Sequence, residues 1–285
     1  MKAHFASLFG VDRDRDMIPH WIPHYLSMGF NSYMVYVHSP AGEGQYYVNL
    51  FRNSGMNATE ISGEFYTGNL RARILSAHHN SISHNDWLFT VDSDEIFDLP
   101  VCWRDMLEDY DVFETTSIER WADGVRKADP FKPLSEQYPL SGYLMQEINP
   151  DSVAVCTKIL GARRSVRVDY TGSHVYCGVY DTPVRKADPS SIVDPRYMNP
   201  AQNLLRVKRG FRFRHYCWRD QPTERMINKW YYRSDHVRRV MEYFGLEDDR
   251  VLKIKLEEER MVQAERGWIG NGTSGSLHPL NMVRV

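Results

Sequence analysis

No stretch of the 285 residues reaches the roughly 18 consecutive apolar side chains of a membrane-spanning helix. The apolar run within residues 1–10 is also too short for a secretory leader, so a cytoplasmic chain is expected. Cysteine is scarce. Cys102, Cys156, Cys177 and Cys217 have neither metal-ligand spacing nor the density of a disulfide scaffold, and are expected as buried reduced thiols. Charge of one sign is lacking too: a formal net charge of -2 excludes a general polyanion binder, and no nucleic acid partner is expected. Phe9-Gly10-Val11-Asp12 supplies one glycine where a phosphate-cradling loop needs several. That argues against a dinucleotide-binding dehydrogenase and weakens the case for a nucleotidyltransferase. No internal repeat or low-complexity block is present.

What is present is a globular composition, 42% hydrophobic and 25% charged, with 17 Tyr and 7 Trp. The apolar material is ample for a core. Periodicity predicts a strand over 3–10, a charged loop over 12–16, a helix over 18–28 stopped by Gly29, and a strand over 31–38. Strand, helix and strand in that order make a right-handed, parallel βαβ unit. Helices near 45–54 and 68–82 flank a short strand near 58–62, and a strand follows at 87–91. Further on, the pattern predicts a short helix at 103–107, a strand at 111–118, a helix at 140–148, and strands at 153–160, 166–170 and around 211–216. Charged helices at 222–244 and 248–267 read as solvated faces, and the Gly/Ser-rich tail beyond residue 270 as mobile.

One segment organises the rest. Residues 87–91, Trp-Leu-Phe-Thr-Val, read as a strand covered on both faces, as in a parallel sheet. Asp92, Asp94 and Glu95 follow immediately, where crowded carboxylates require a cation or a donor network. Carboxyl ends of strands are also where open α/β sheets bind ligands. Two aspartates with one spacer can hold a hard divalent cation and leave positions for phosphate oxygens. An ordinary acidic turn capped by Ser93 or Asp94 is the plain alternative. The buried strand before it, with Glu95 and Ile-Phe-Asp-Leu-Pro after it, favours the cation.

Three ordered blocks resemble the GT-A-fold, family 2-like glycosyltransferases, in a bacterial branch. The first is Asp14, Trp21-Ile22, Tyr25-Leu26 and Gly29; the second is residues 87–100 with Asp92-Ser93-Asp94-Glu95. The third joins Asp123-Gly124, Gln137-Tyr138-Pro139-Leu140, Lys158, Gly172-Ser173-His174 and His215-Tyr216-Cys217-Trp218-Arg219. Departures are Asp14 where the family usually has Glu, His38-Ser39 where an Asp near the nucleotide is frequent, and Cys217 in place of Lys.

The resemblance implies an α/β GT-A (Rossmann-like) fold: a mixed, mostly parallel sheet flanked by helices, with a C-terminal helical extension. The expected division is 1–220 as the transferase domain (1–100 for the nucleotide-sugar, 101–220 for the acceptor), 221–270 as helices and 271–285 as a tail. The implied reaction transfers a sugar from a UDP- or GDP-sugar to a hydroxyl of a glycan or lipid-linked acceptor, with inversion. Asp92 and Asp94 with His174 or His215 are the implied ligands of Mn²⁺ or Mg²⁺. Asp94 is favoured as the direct ligand, and Asp92 can instead face the ribose. Asp14, Asp92, Lys158, Trp218 and Arg219 are the implied nucleotide-sugar contacts; Asp123, then Glu136 and Glu147, are candidates for the general base. Trp121, Tyr138 and Tyr143 suit either an acceptor cleft or the core. A catalytically silent nucleotide-sugar or glycan-binding protein is the competing class; the charged helices suit packing on this chain, on a partner or at the inner membrane face.

Overall fold

The computed structural model describes residues 1–39, 42–62, 68–122, 124, 126–142, 157–170, 175–179 and 205–219. Its strands are β1 (Ala3–Gly10), β2 (Ser32–His38), β3 (Asn57–Ile61), β4 (Trp87–Asp92), β5 (Glu95–Phe97), β6 (Val112–Trp121), β7 (Leu140–Gly142), β8 (Thr157–Arg163), β9 (Val166–Asp169), β10 (Val175–Val179) and β11 (Val207–His215). Its helices are α1 (Val11–Asp14), α2 (Ile18–Ser27), α3 (Gly44–Asn53), α4 (Gly68–Ser81) and α5 (Leu134–Gln137), with 3-10 turns at Arg15–Met17 and Asp105–Leu107. Two compact units divide the chain. The first holds Met1–Ile118, Asp129–Phe131 and Val155–His215; the second holds Glu119–Ala128, Lys132–Ala154 and Tyr216–Val285.

In the first unit the sheet runs β3-β2-β1-β4-β8-β6-β11-β5. The first four strands pair in parallel, whereas β8 is antiparallel to both β4 and β6, and β5 to β11. The expected mixed sheet is therefore present, and strands from beyond residue 100 lie in the same sheet as β1 to β4. After β3 the chain returns past β1 to form β4, so the strand order reverses between β1 and β4. Such a switch point opens a crevice at the carboxyl ends of the two strands.

Strand alternation sends side chains to two faces. On one face Phe5 and Phe9 of β1 pack on Trp21 of α2, at ring separations of 5.4 and 5.3 Å, and Phe9 also meets Phe51 of α3 at 5.3 Å. Phe89 joins them through Phe30 and Trp103, at 5.1 and 5.3 Å. Gly161 of β8 lies opposite Phe89, and a Cβ there would meet the Phe89 ring at 2.7 Å, so only glycine fits. The other face buries Ala6, Leu88, Val112, Ile159, Val166 and Val168 against Leu75 of α4. In α2 the buried residues Ile18, Trp21, Ile22 and Tyr25 follow one helical stripe, and Gly29 ends the turn at φ 69°.

Four expectations need correction. Residues 12–16 are helical, not a loop: Val11, Asp14 and Met17 are buried on one side of the turns. The helix expected from Leu140 begins instead as β7, which pairs with the end of β6 in the second unit. Residues 95–97, left without an element, form β5 because β11 supplies their backbone partners. Cys102 is exposed, while Cys217 is buried; both are free thiols. The helices expected over 222–267 and the tail lie outside the described residues. Among the described residues, no helix is long and apolar enough to cross a membrane.

Candidate cation and nucleotide site

The carboxyl ends of β1 and β4 are adjacent because Leu8 and Asp92 are register partners. Just past them, Ser93 donates its hydroxyl to Asp14 Oδ2 at 2.5 Å, with both side chains buried. This bond ties α1 to the turn after β4 at the switch point. Asp14, expected near a nucleoside, therefore stands at the crevice.

Asp92 is the last residue of β4 and is held by two cations. Arg71 Nη1, from α4, lies 2.7 Å from Oδ1 and donates to Oδ2 at 2.9 Å. Lys158 Nζ, from β8, reaches the same Oδ2 at 2.7 Å. Lys158 also contacts both oxygens of Glu95 at 2.9 Å. The Asp92 backbone N–H donates to Glu95 Oε2 at 3.1 Å, closing the loop. Burial pushes the Asp92 carboxyl up, but Arg71 and Lys158 outweigh it and hold the group below the usual carboxylate range. For Glu95 burial wins over Lys158 and raises the carboxyl. Burial lowers Lys158, and the two carboxylates more than reverse that, leaving it above its ordinary value. The Lys158 ammonium has its contacts to three carboxylate oxygens and is only 5% exposed. Expected as a pyrophosphate contact, Lys158 is here a buried counter-ion to Asp92 and Glu95.

Asp94 occupies the two-residue turn between β4 and β5, and His215 ends β11 directly across from Glu95. His215 Nε2 lies 3.5 Å from Asp94 Oδ2, and one ligand atom from each of Asp94, Glu95 and His215 falls within 4.8 Å of the others. Two carboxylates and an imidazole that converge in this way fit a divalent cation. Tyr25 holds the frame: its hydroxyl donates to Glu95 O at 3.0 Å and accepts from Phe97 N–H at 3.2 Å. Burial raises that phenol well above its ordinary pKa, so it stays neutral. His24 Nε2 adds a 2.6 Å bond to Phe97 O.

The structure thus brings Asp14, Asp92, Asp94, Lys158 and His215 to one end of the sheet. Asp123, Glu147, Tyr143 and His174 lie outside the described residues. In the second unit Glu136 is exposed on α5, whereas Trp121, Tyr138, Trp218 and Arg219 are buried; Arg219 Nη1 donates to Tyr216 O at 2.6 Å. Arg71 is the site residue that sequence reasoning missed. A basic residue on a helix reads as solvated face, and only its place on the helix before β4 hinted otherwise.

The chain matches no family model and no curated protein. Among solved structures, residues 1–349 of TarS from S. aureus align over 99% of this chain and 77% of that one, at 11% identity and a TM-score of 0.35. A Bacillus anthracis protein described as a glucose-1-phosphate thymidylyltransferase, in complex with sucrose, aligns over 44% of this chain and 59% of its own, at 14% identity and a TM-score of 0.29. The inositol-1-phosphate CTP transferase of T. maritima aligns over 87% of this chain and 98% of its own, at 8% identity and a TM-score of 0.35. Likenesses this slight identify neither a fold family nor a function.

Proposed function

We propose that this chain is a cation-dependent GT-A glycosyltransferase that moves a sugar from a nucleoside-diphosphate sugar to an acceptor hydroxyl, with inversion. One observation carries the reading: Asp94, Glu95 and His215 converge within 4.8 Å beside the β1–β4 switch point. The motif order read from the sequence supports it independently. Asp94 and His215 would hold Mn²⁺ or Mg²⁺, which when bound supplies Lewis-acid neutralisation of the departing diphosphate. Asp14, fixed by Ser93, borders the place for the nucleoside of a UDP- or GDP-sugar. Asp92, fixed by Arg71 and Lys158, is the candidate for a ribose contact. Inverting transfer also needs a carboxylate to take the acceptor proton, and Asp123, then Glu136, remain the candidates from their motif positions. A glycan or lipid-linked sugar is the acceptor class.

The test is thermal and urea unfolding with UDP, GDP and their sugars, with and without Mn²⁺, on the wild type and Asp94→Ala. A ligand at 100 times its Kd adds about 2.7 kcal/mol. A Mn²⁺-dependent gain with one nucleotide, absent in Asp94→Ala, is expected. If no nucleotide stabilises the wild type, the transferase reading fails and the silent glycan binder takes its place.

A further inference from the structure

Arg71, Leu75 and His79 form a buried stripe of α4, and two of the three are polar. The stripe packs on an aliphatic core, where a guanidinium and an imidazole are costly unless each finds partners. Both find Tyr170, directly after β9. Arg71 Nε donates to its backbone oxygen at 3.2 Å, and its hydroxyl bonds to His79 Nδ1 at 3.1 Å. We propose that Arg71 is a positioning residue that couples Asp92, and with it the nucleotide site, to this α4–Tyr170 junction. One guanidinium holds the carboxylate and the Tyr170 backbone together, so a change at either place is felt at the other. This inference rests on the reading of Asp92 as a ribose contact.

The line of contacts is continuous. Arg71 Nη1 lies 2.7 Å from Asp92 Oδ1, and Nε of the same planar group is committed to Tyr170 O. A guanidinium fork is rigid, so its two ends do not turn separately. About 12 Å further along α4, His79 Nε2–H donates to Arg163 O at 3.1 Å while Nδ1 accepts from the Tyr170 hydroxyl. Tyr170 is therefore gripped at its backbone and at its hydroxyl by two points of one helix. Arg71, His79 and Tyr170 are 8%, 1% and 1% exposed, so water does not replace a lost partner. The groups facing His79 are Tyr170, Arg164 and the carbonyls of Arg163 and Ala162 from beyond α4, and His78 from within it. Lys158 holds Asp92 independently at 2.7 Å, so exchanging Arg71 does not leave the carboxylate without a cation.

Urea unfolding of the full chain at pH 7, on Asp92→Asn, Tyr170→Phe and the double variant, reads the coupling with no ligand present. Tyr170→Phe removes only the hydroxyl, which bonds to His79 and not to Asp92. Independent sites multiply to within about twofold in the unfolding constant, and a departure of about threefold or more is expected. Nuclear magnetic resonance of the His79 ring gives a reading that a merely structural role would not move. Its midpoint, about 4 in the wild type, is expected to rise by about half a unit or more in Asp92→Asn as the junction loosens, whereas loss of a negative charge alone lowers it. Arg71→Lys keeps a cation for Asp92 without the fork, and replaces Asp92→Asn in both readings if that variant does not fold. With UDP or GDP and Mn²⁺, Tyr170→Phe is expected to weaken binding about threefold or more. Multiplicative effects in the cycle, a His79 midpoint that falls or stays, or unchanged nucleotide affinity in Tyr170→Phe each overturns the inference. If no nucleotide binds the wild type, the transferase reading fails while the ligand-free cycle still decides the coupling, so the two failures are distinguishable.

Discussion

The two faces of the first unit's sheet are built from different chemistry. The face under α2 and α3 is a run of rings, Phe5, Phe9, Trp21, Tyr25, Phe30, Phe51, Phe89 and Trp103, joined by ring contacts. The face under α4 is aliphatic, and it also carries buried polar groups: Arg71 on Asp92, and His79 between Tyr170 and Arg163. Burial of rings involves no protonation equilibrium. Burial of titratable groups does. The ring face therefore supplies stability that does not depend on protonation, and the α4 face ties stability to pH.

Removing one ring breaks the comparison most severely. Phe89 is fully buried, touches Phe30 and Trp103, and covers Gly161, which has no side chain to close the gap. Phe89→Ala is expected to lose about 4 kcal/mol in urea unfolding at pH 7. A loss below about 1 kcal/mol would show that the ring face is not the main source of stability.

A pH drop tests the α4 face instead. His79 Nε2–H donates to Arg163 O at 3.1 Å and Nδ1 accepts from the Tyr170 hydroxyl at 3.1 Å, so the neutral ring satisfies both nitrogens. Burial lowers its pKa from 6.5 to about 4. Between those values the unfolded chain binds the proton and the folded chain does not. Stability is thus full above pH 6.5 and falls by about 3 kcal/mol on the way to pH 4, below which this contribution is flat. Urea unfolding at several pH values checks it, and His79→Gln should remove that part of the slope. An unchanged slope in the variant would transfer the effect to other groups.

The smallest effect is expected where neither face is involved. Arg209 Nε donates to Glu114 Oε1 at 2.9 Å, but the arginine side chain is 68% exposed. Arg209→Ala should change stability by less than about 0.5 kcal/mol, and less still in high salt. A loss comparable to that of Phe89→Ala would mean that surface charge, not the ring face, stabilises this sheet.

Much of the parallel half was legible because each element carries its own signal. The stripe Ile18, Trp21, Ile22 and Tyr25 reads as a helix, Gly29 as its stop, and the run Trp87 to Val91 as a buried strand. Short elements defined only by a distant partner were not legible. β5 is three residues long and acquires its identity only by pairing with β11. Residues 140–142 look helical in isolation and are a strand because the end of β6 binds them. Arg71 reads as surface until α4 is seen to pack over Asp92.

Sequence alone determined the strand–helix order of the N-terminal half and the presence of Asp92, Asp94 and Glu95 at a strand end, since periodicity and local turn chemistry are short-range. Tertiary structure decided how those carboxylates divide. Lys158 and Arg71 neutralise Asp92 and Glu95, and β11 brings His215 to Asp94. Charge pairing acts through space, with a partner chosen by sheet register and helix packing, and neither is visible in the spacing of residues along the chain.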